Sequence, residues 1–389
     1  MISKRVQGFT ESVIREMTRV SAQYGGVNLA QGFPNFPPPR ELVEAAHRAL
    51  DGDFHQYAIT WGARNLREAI AAKFERFYGR RVDPDRQVTV CCGSTEAMLA
   101  TLLAVLDPGD EIVIFEPFYE NYGPGSIISG AKPVFVPLEP PDFSFDPERL
   151  ARAFNPRTRA IIFNTPNNPT GKVFTRRELE IIAELCQRHD VIAITDEIYE
   201  HMVYDGYQHI PIATLPGMWD RTVTISGVSK SYSVTGWRIG YTISSPEIAD
   251  GIRRAHDFIT VGAPAPLQEA AVTALNLPMA YYDTLRETYQ ARRDLLRGLL
   301  DKAGFKTFEP RGAYYILTEC AHFLERYGLP DDTAFAMYLI KEVGVATVPG
   351  SSFYAHPELG RTKIRFCFPK TDDVLLEAGQ RLQRLPPGR

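Results

Sequence analysis

The chain has 389 residues, 44% hydrophobic and 23% charged, with a net charge of −4 and a pI near 6.1, enough sequence for two domains and a large buried core. This slightly acidic balance leaves no basic footprint for nucleic acid or an anionic membrane surface. Five cysteines, Cys91, Cys92, Cys186, Cys320 and Cys367, are odd in number and form no CxxC, so neither a disulfide framework nor a zinc cluster is indicated and a reducing, cytoplasmic location is expected.

The opening "MISKRVQGFTESVIREM" breaks its apolar residues with charges, which argues against a signal peptide, and no run elsewhere is long and apolar enough for a transmembrane helix. To about Pro39, with "GFPNFPPP", the chain reads as an extended arm, because prolines favour turn and polyproline geometry. From about residue 85 to 245, seven short β-rich runs follow: "QVTVCC", "EIVIFEP", "KPVFVPL", "RAIIFN", "VIAITDE", "TVTISG" and "WRIGYTI". Several lack strict alternation, as strands covered on both faces should. Between two of them, "TRRELEIIAELCQRH" sets Leu179, Ile182, Ala183 and Cys186 on one helical stripe. The pattern predicts an α/β fold with a mostly parallel seven-stranded sheet flanked by helices.

After a helical stretch around 280 to 303 the pattern changes. "AYYILTE", "VATVPG" and "KIRFCF" read as strands among the helices "TAFAMYLIKEV" and "DVLLEAGQRLQRL", forming a smaller α+β domain. The resulting division is residues 1–44 as arm and part of the small domain, 45–280 as the large domain, and 281–389 as the small domain.

Ligands of an open parallel sheet bind beyond the carboxyl ends of its strands, so polar groups after each apolar run are the candidates. "CCGSTEAM" presents Gly93, Ser94 and Thr95 at a strand-to-helix turn, an anion site or a plain cap. "FNTPNNPTGK" holds Asn168 in rigid turn chemistry. In "VIAITDEIY", Asp196 ends an apolar strand where a carboxylate needs a partner, with Tyr199 three residues on. "SGVSKSYSVTGWRIGY" carries Lys230 and Arg238; its simplest reading is a solvated loop. In "KIRFCF", alternation puts Lys363, Arg365 and Cys367 on one face, either a solvated outer face or a grip for a carboxylate. A lysine, a strand-end acid, an anion cradle and arginines are together the parts that pyridoxal phosphate requires.

The chain resembles the fold-type I pyridoxal-phosphate aminotransferases of class I/II, in the branch with aspartate, aromatic and kynurenine/glutamine aminotransferases. "NLAQGFPNFPPP", "NTPNNPTGK", "ITDEIYEHMVYDG", "SKSYSVTGWRIGY" and "IRFCF" occur in the family's order over nearly the whole chain. The resemblance implies that Lys230 is the Schiff-base lysine, Arg238 the phosphate arginine and Asp196 the partner of the pyridine nitrogen. Tyr199 and Asn168 would bond the ring's phenolic oxygen, Tyr119 would stack on the ring, and Gly93, Ser94 and Thr95 would form the phosphate loop with Ser229 nearby. Tyr57 would reach the phosphate of a second subunit, implying a homodimer. Arg365, with Gly32 and Asn168, would hold the substrate α-carboxylate.

Two departures stand out. Many relatives carry serine at the position of Gly227, here flanked by Ser226 and Ser229. Kynurenine and glutamine aminotransferases with the same arm carry an aromatic residue and a histidine near Val261 and Gly262. As pocket-lining residues, Val261, Gly262 and Ala263 would favour a neutral or aromatic amino acid such as phenylalanine, tyrosine, methionine or glutamine, with 2-oxoglutarate as an acceptor. Aspartate transamination and cysteine-conjugate β-lyase chemistry are the alternatives for the same site. A regulator built on this domain would need a DNA-binding module, and nearly every residue is already used by the aminotransferase pattern.

Overall fold

Seven strands form one sheet in the computed structural model, which describes residues 2–385 apart from Gly8 and Thr10. The outer ends of the first and last segments defined above, Met1 and residues 386–389, lie outside the described residues. In spatial order the strands are Lys132–Pro137, Glu111–Glu116, Thr158–Asn164, Ile192–Asp196, Thr222–Gly227, Gly240–Ile243 and Val88–Cys91. Every neighbouring pair is parallel except those made by Gly240–Ile243, which runs against both its neighbours. All seven coincide with the predicted runs. Four of them are buried at every position; Glu111–Glu116 shows the unbroken apolar run that double cover allows, while Val88–Cys91 and Thr222–Gly227 bury threonine and serine between their apolar residues. Lys132–Pro137 holds two prolines and is partly exposed; it is an edge strand, where a missing N–H costs no ladder bond.

Helices cover both faces. Arg176–His189 starts in a capping box between Thr175 and Glu178 and stops at Asp190 in the left-handed region. Its stripe Leu179, Ile182, Ala183 and Cys186 packs with Phe163 and Ala193 of the sheet. On the other face, Ser94–Val105 and Pro246–Ile259 enclose Ile112, Ile162, Ile194 and Val223. Helices Arg64–Tyr78 and Ala265–Leu275 close the Val88–Cys91 end of the sheet.

A second, antiparallel sheet orders Val348–Pro349, Lys363–Cys367, Tyr315–Glu319 and Lys306–Thr307. The helices Met279–Lys302 and Asp372–Leu382 fall where the apolar periodicity predicts them. The helix expected over 333–343 is α-helical only over Asp332–Tyr338 and continues as a wider π turn through Leu339–Val343.

The extended-arm reading of the N-terminus is corrected over its first half. Val13–Gln23 is a helix capped by Ser12, and Val27–Asn28 pairs in parallel with Val345–Ala346. Ile14 and Met17 are buried with Leu296, Phe335 and Phe366 in the core of the second sheet. The prolines begin only at Pro34, so nothing upstream opposes a helix. Among the described residues no helix is long and apolar enough to cross a membrane.

Candidate active site

Asn164 and Asp196 end adjacent parallel strands and are register partners, and Gly227 ends the next strand. The antiparallel strand begins at Gly240, opposite both Gly227 and Cys91. Arg238, just ahead of it, therefore enters at the sheet edge where the other strands leave. At this edge lies a cavity of about 420 Å³ whose walls include Gly32, Ser94, Thr95, Tyr119, Asn168, Asp196, Tyr199, Ser229, Lys230 and Arg238.

The solvated-loop reading of the Lys230 segment does not hold, because Ser226, Ser229 and Ser231 are all buried. Small side chains pack this segment against the sheet while leaving room for one long amine. Lys230 Nζ donates to the Gly32 carbonyl at 3.3 Å. Burial, reinforced by the Arg238 charge and opposed by Asp196, lowers its pKa to about 8. Ser226 Oγ donates to Glu200 Oε1 at 2.9 Å, so Ser229 is the member of the pair that faces the cavity.

Asp196 accepts from the Tyr122 hydroxyl at 2.8 Å and from the Ile198 N–H at 3.3 Å. Burial outweighs these bonds and pushes its pKa up to about 6. The Asn164 side-chain amide donates to the Asp196 carbonyl at 2.7 Å, which fixes the strand end that carries the carboxylate.

Arg365 is the clearest departure from simple alternation. Both faces of Lys363–Cys367 are covered, and Arg365 is fully buried, so the solvated outer face is excluded. Its guanidinium donates to Asn168 Oδ1 at 2.8 Å and to the Ala30 carbonyl at 2.6 Å, while its buried Nε has no partner among the described residues. The Tyr315 and Phe353 rings lie 4.3 and 4.7 Å from it. The Tyr315 hydroxyl in turn shares a 2.8 Å hydrogen bond with that of Tyr199.

The Gln31–Phe33 segment forms the opposite wall. Lys370 Nζ donates to the carbonyls of Gln31 at 3.4 Å and Phe33 at 2.9 Å, and Tyr314 to that of Gly32 at 2.6 Å. A Cβ on Gly32 would stand 2.4 Å from the Tyr315 hydroxyl, so no larger residue fits.

At the other end, Gly93 has φ +81° and a Cβ there would lie 2.3 Å from Arg238 Nη2. The helix Ser94–Val105 has no side-chain cap, leaving its first-turn N–H groups free for an anion. Arg238 has a left-handed φ of 57°, local strain of the kind that clusters at functional sites. Its guanidinium is exposed and donates to the Thr235 carbonyl at 3.0 Å.

Two groups of sequence candidates lie elsewhere. Tyr57 is 88% exposed and outside the cavity. Val261 is 46% exposed, Ala263 packs into the core beside Leu275, and neither they nor Gly262 line the cavity of this chain. Within one chain, therefore, they do not line the pocket. His256 bridges Glu96 at 3.0 Å and the Thr60 carbonyl at 2.9 Å, tying the loop after Tyr57 to the helix that begins at Ser94.

Tyr122, Tyr315, Asn164 and Arg15 were not singled out from the sequence. Tyr122 follows Tyr119 by three residues, a spacing that puts both near one helix start. Arg15 was hidden by the reading of its segment as an extended arm.

An amine, a carboxylate and an anion cradle at the strand ends, with a buried arginine from the second sheet bonded to Asn168, are the equipment of an aminotransferase. Residues 24–382 match the model of the aminotransferase class I and II family, and the chain belongs to that family. It is 37% identical to human kynurenine–oxoglutarate transaminase 1 over 413 aligned residues, covering 98% of this chain and 97% of the relative. N-succinyldiaminopimelate aminotransferase from Mycobacterium tuberculosis superimposes with a TM-score of 0.95 at 38% identity, covering 99% of this chain and 100% of that one. An Escherichia coli protein described as having a methionine aminotransferase function superimposes with a TM-score of 0.93 at 33% identity, with 99% and 100% covered.

Proposed function

We propose that this aminotransferase uses pyridoxal 5'-phosphate to move an amino group from a neutral or aromatic L-amino acid to 2-oxoglutarate. The observation that carries the reading is the meeting of Lys230, Asp196, Tyr199, Asn168 and Arg238 around one cavity, with Arg365 bonded to Asn168 beneath it. The residues fit the cofactor. The uncapped helix start, Ser229 and the exposed Arg238 guanidinium suit its phosphate, and the Asp196 carboxylate suits its pyridinium nitrogen. When bound, it supplies a protonated ring that delocalises the electron pair left as an amino acid's α-proton departs.

The protein's own groups do the rest. Lys230 Nζ, whose lowered pKa of about 8 leaves part of it neutral, would hold the cofactor and would be the base that accepts and returns the α-proton. Asp196 keeps the ring nitrogen protonated. Tyr119 would stack on the ring, and Tyr199 and Asn168 would bond its phenolic oxygen. Arg365, with its unpartnered Nε, binds the α-carboxylate beside Gly32. Ile14, Ile198, Tyr119 and Tyr315 on the walls favour an apolar or aromatic side chain, in keeping with relatives named for kynurenine and methionine.

On this reading residues 45–280 are the cofactor domain, and 1–44 with 281–389 the smaller one, supported by the shared core of Ile14 and Met17 with the second sheet. The active form is a homodimer. Tyr57, Ile59, Phe258 and Val261 are exposed at 88, 48, 94 and 46%, on two segments joined by the His256 to Thr60 bond, an apolar patch of the kind that subunits cover. Five unpaired cysteines, four of them buried, support a cytoplasmic home.

The test is the absorption spectrum of the protein with pyridoxal phosphate, before and after single amino acids are added without an oxo acid. Conversion to the aminated cofactor's band supports transamination, and the responders give the donor class. Absence of any protein-bound cofactor band overturns the proposal, and accumulation of pyruvate and ammonia replaces it with β-lyase chemistry.

A further inference from the structure

The cavity mouth holds a cation to which the proposed reaction gives no role. Arg15 lies in the first turn of the helix Val13–Gln23 and lines the same cavity as Lys230 and Asn168. Its place is set on both sides. Ser12 caps the helix, accepting from the Arg15 N–H at 3.4 Å, and donates to Glu120. Ile14 and Met17 are anchored in the core of the second sheet. Arg15 is exposed, and among the described residues no carboxylate pairs with it. The other cations here have work to do: Lys230 with the cofactor, Arg238 with its phosphate and Arg365 with the α-carboxylate.

The geometry points to Arg15 as the group that binds the distal carboxylate of a dicarboxylic 2-oxo acid, selecting the acceptor half of the reaction. An unpaired guanidinium offers a planar fork of donors to a carboxylate. On the exposed rim, it can swing aside when a neutral or aromatic donor occupies the same space. This lets one cavity take an apolar side chain in one half-reaction and a carboxylate in the other. Glu120, on the same rim, opposes the second carboxylate by like charge and sets how strongly Arg15 must act.

This inference rests on the aminotransferase reading, and its test separates the two. The quantity to measure is kcat/KM for 2-oxoglutarate divided by kcat/KM for 2-oxobutyrate, with one fixed donor. Arg15→Gln should lower that ratio at least about 10-fold, Arg15→Lys should keep most of it, and Glu120→Gln should raise it. A ratio unchanged within about twofold in Arg15→Gln overturns the assignment to Arg15 while leaving the aminotransferase reading intact. No turnover by the unaltered protein with either oxo acid would instead sink the reading beneath it. Retention of the bound-cofactor absorption band by each variant shows that the cavity is still formed.

Discussion

The Tyr122 hydroxyl donates to Asp196 Oδ2 across 2.8 Å, and both residues are buried. The phenol stabilises the carboxylate against the burial that raises its pKa to about 6. Removing the donor should push the Asp196 pKa higher still. In cofactor-free Tyr122→Phe, the pH range over which Asp196 changes stability should move upward relative to the unaltered protein. A range that stays in place would show that Tyr122 has only a packing role.

The same burial makes Asp196 a stability cost in the cofactor-free protein. Its folded pKa of about 6 lies above the unfolded value. The folded state therefore gains its relative advantage from this group below pH ~4, loses it between ~4 and ~6, and stays at the lower level above. Raising the carboxyl from its ordinary value to about 6 is equivalent to about 3 kcal/mol at most. Cofactor-free Asp196→Asn should accordingly melt higher than the unaltered protein at pH 8, with a gap that narrows towards pH 4, while its transamination is lost. A gap that widens on acidification would contradict the buried-carboxylate account.

Lys230 should reveal its lowered pKa when the cofactor-free protein takes up pyridoxal phosphate. Only the neutral amine attacks, so the uptake rate should climb with pH through a midpoint near 8. Arg238→Gln removes the like charge that acts second to burial, so its midpoint should move upward even as phosphate affinity falls. Stopped-flow absorbance gives both quantities, and a midpoint that falls or stays would mean that Arg238 does not face the amine. Lys230→Ala should abolish turnover outright.

What the sequence made legible follows from the kind of signal involved. The strands were readable as short β-rich runs ended by turn residues, with unbroken apolar stretches in Glu111–Glu116 and Thr158–Asn164, whereas Thr222–Gly227 alternates Val223 and Ile225 with hydroxyl residues although every position is buried. Lys230, Asp196 and Asn168 were found because strand ends of a parallel sheet converge. Arg365 was placed on a face but not in depth, since alternation cannot tell a solvated face from one covered by Ala30 and Asn168. Tyr122 and Arg15 reach the cavity from segments whose closeness to it depends on tertiary packing. Residues 12 and 120 share a hydrogen bond that no local pattern announces.

Behind the site, Lys73 and Glu200 form a buried pair at 2.6 Å, each about 5% exposed, that also holds Ser226 and Tyr78. Burial alone would push the Glu200 pKa up, yet Lys73 and the hydrogen bonds around it hold the carboxyl far below its usual range. The stability it contributes is therefore fully present above the ordinary carboxylate range and is lost progressively as pH falls through that range into strong acid. Lys73→Met strands a carboxylate in the core and should cost about 3–5 kcal/mol in urea unfolding, whereas adding Glu200→Gln should recover part of that loss. If the double variant were less stable than Lys73→Met, the pair would not be the unit that matters.

Tyr57 offers the sharpest test of the dimer, because its exposed hydroxyl lies outside the cavity of its own chain. If it completes the phosphate site of a second subunit, two defective chains should repair each other. Lys230→Ala carries an intact Tyr57 and a dead site; Tyr57→Ala carries an intact Lys230 and lacks only the borrowed phenol. In a hybrid of the two, one site collects both defects and the other collects none. Random reassociation of equal amounts makes about half the dimers hybrids, each with one sound site of two, so about a quarter of the unaltered activity should return at limiting cofactor. Mixing without dissociation should restore nothing. Activity equal to the simple average of the two preparations, after subunit exchange has been verified, would place Tyr57 outside its neighbour's site.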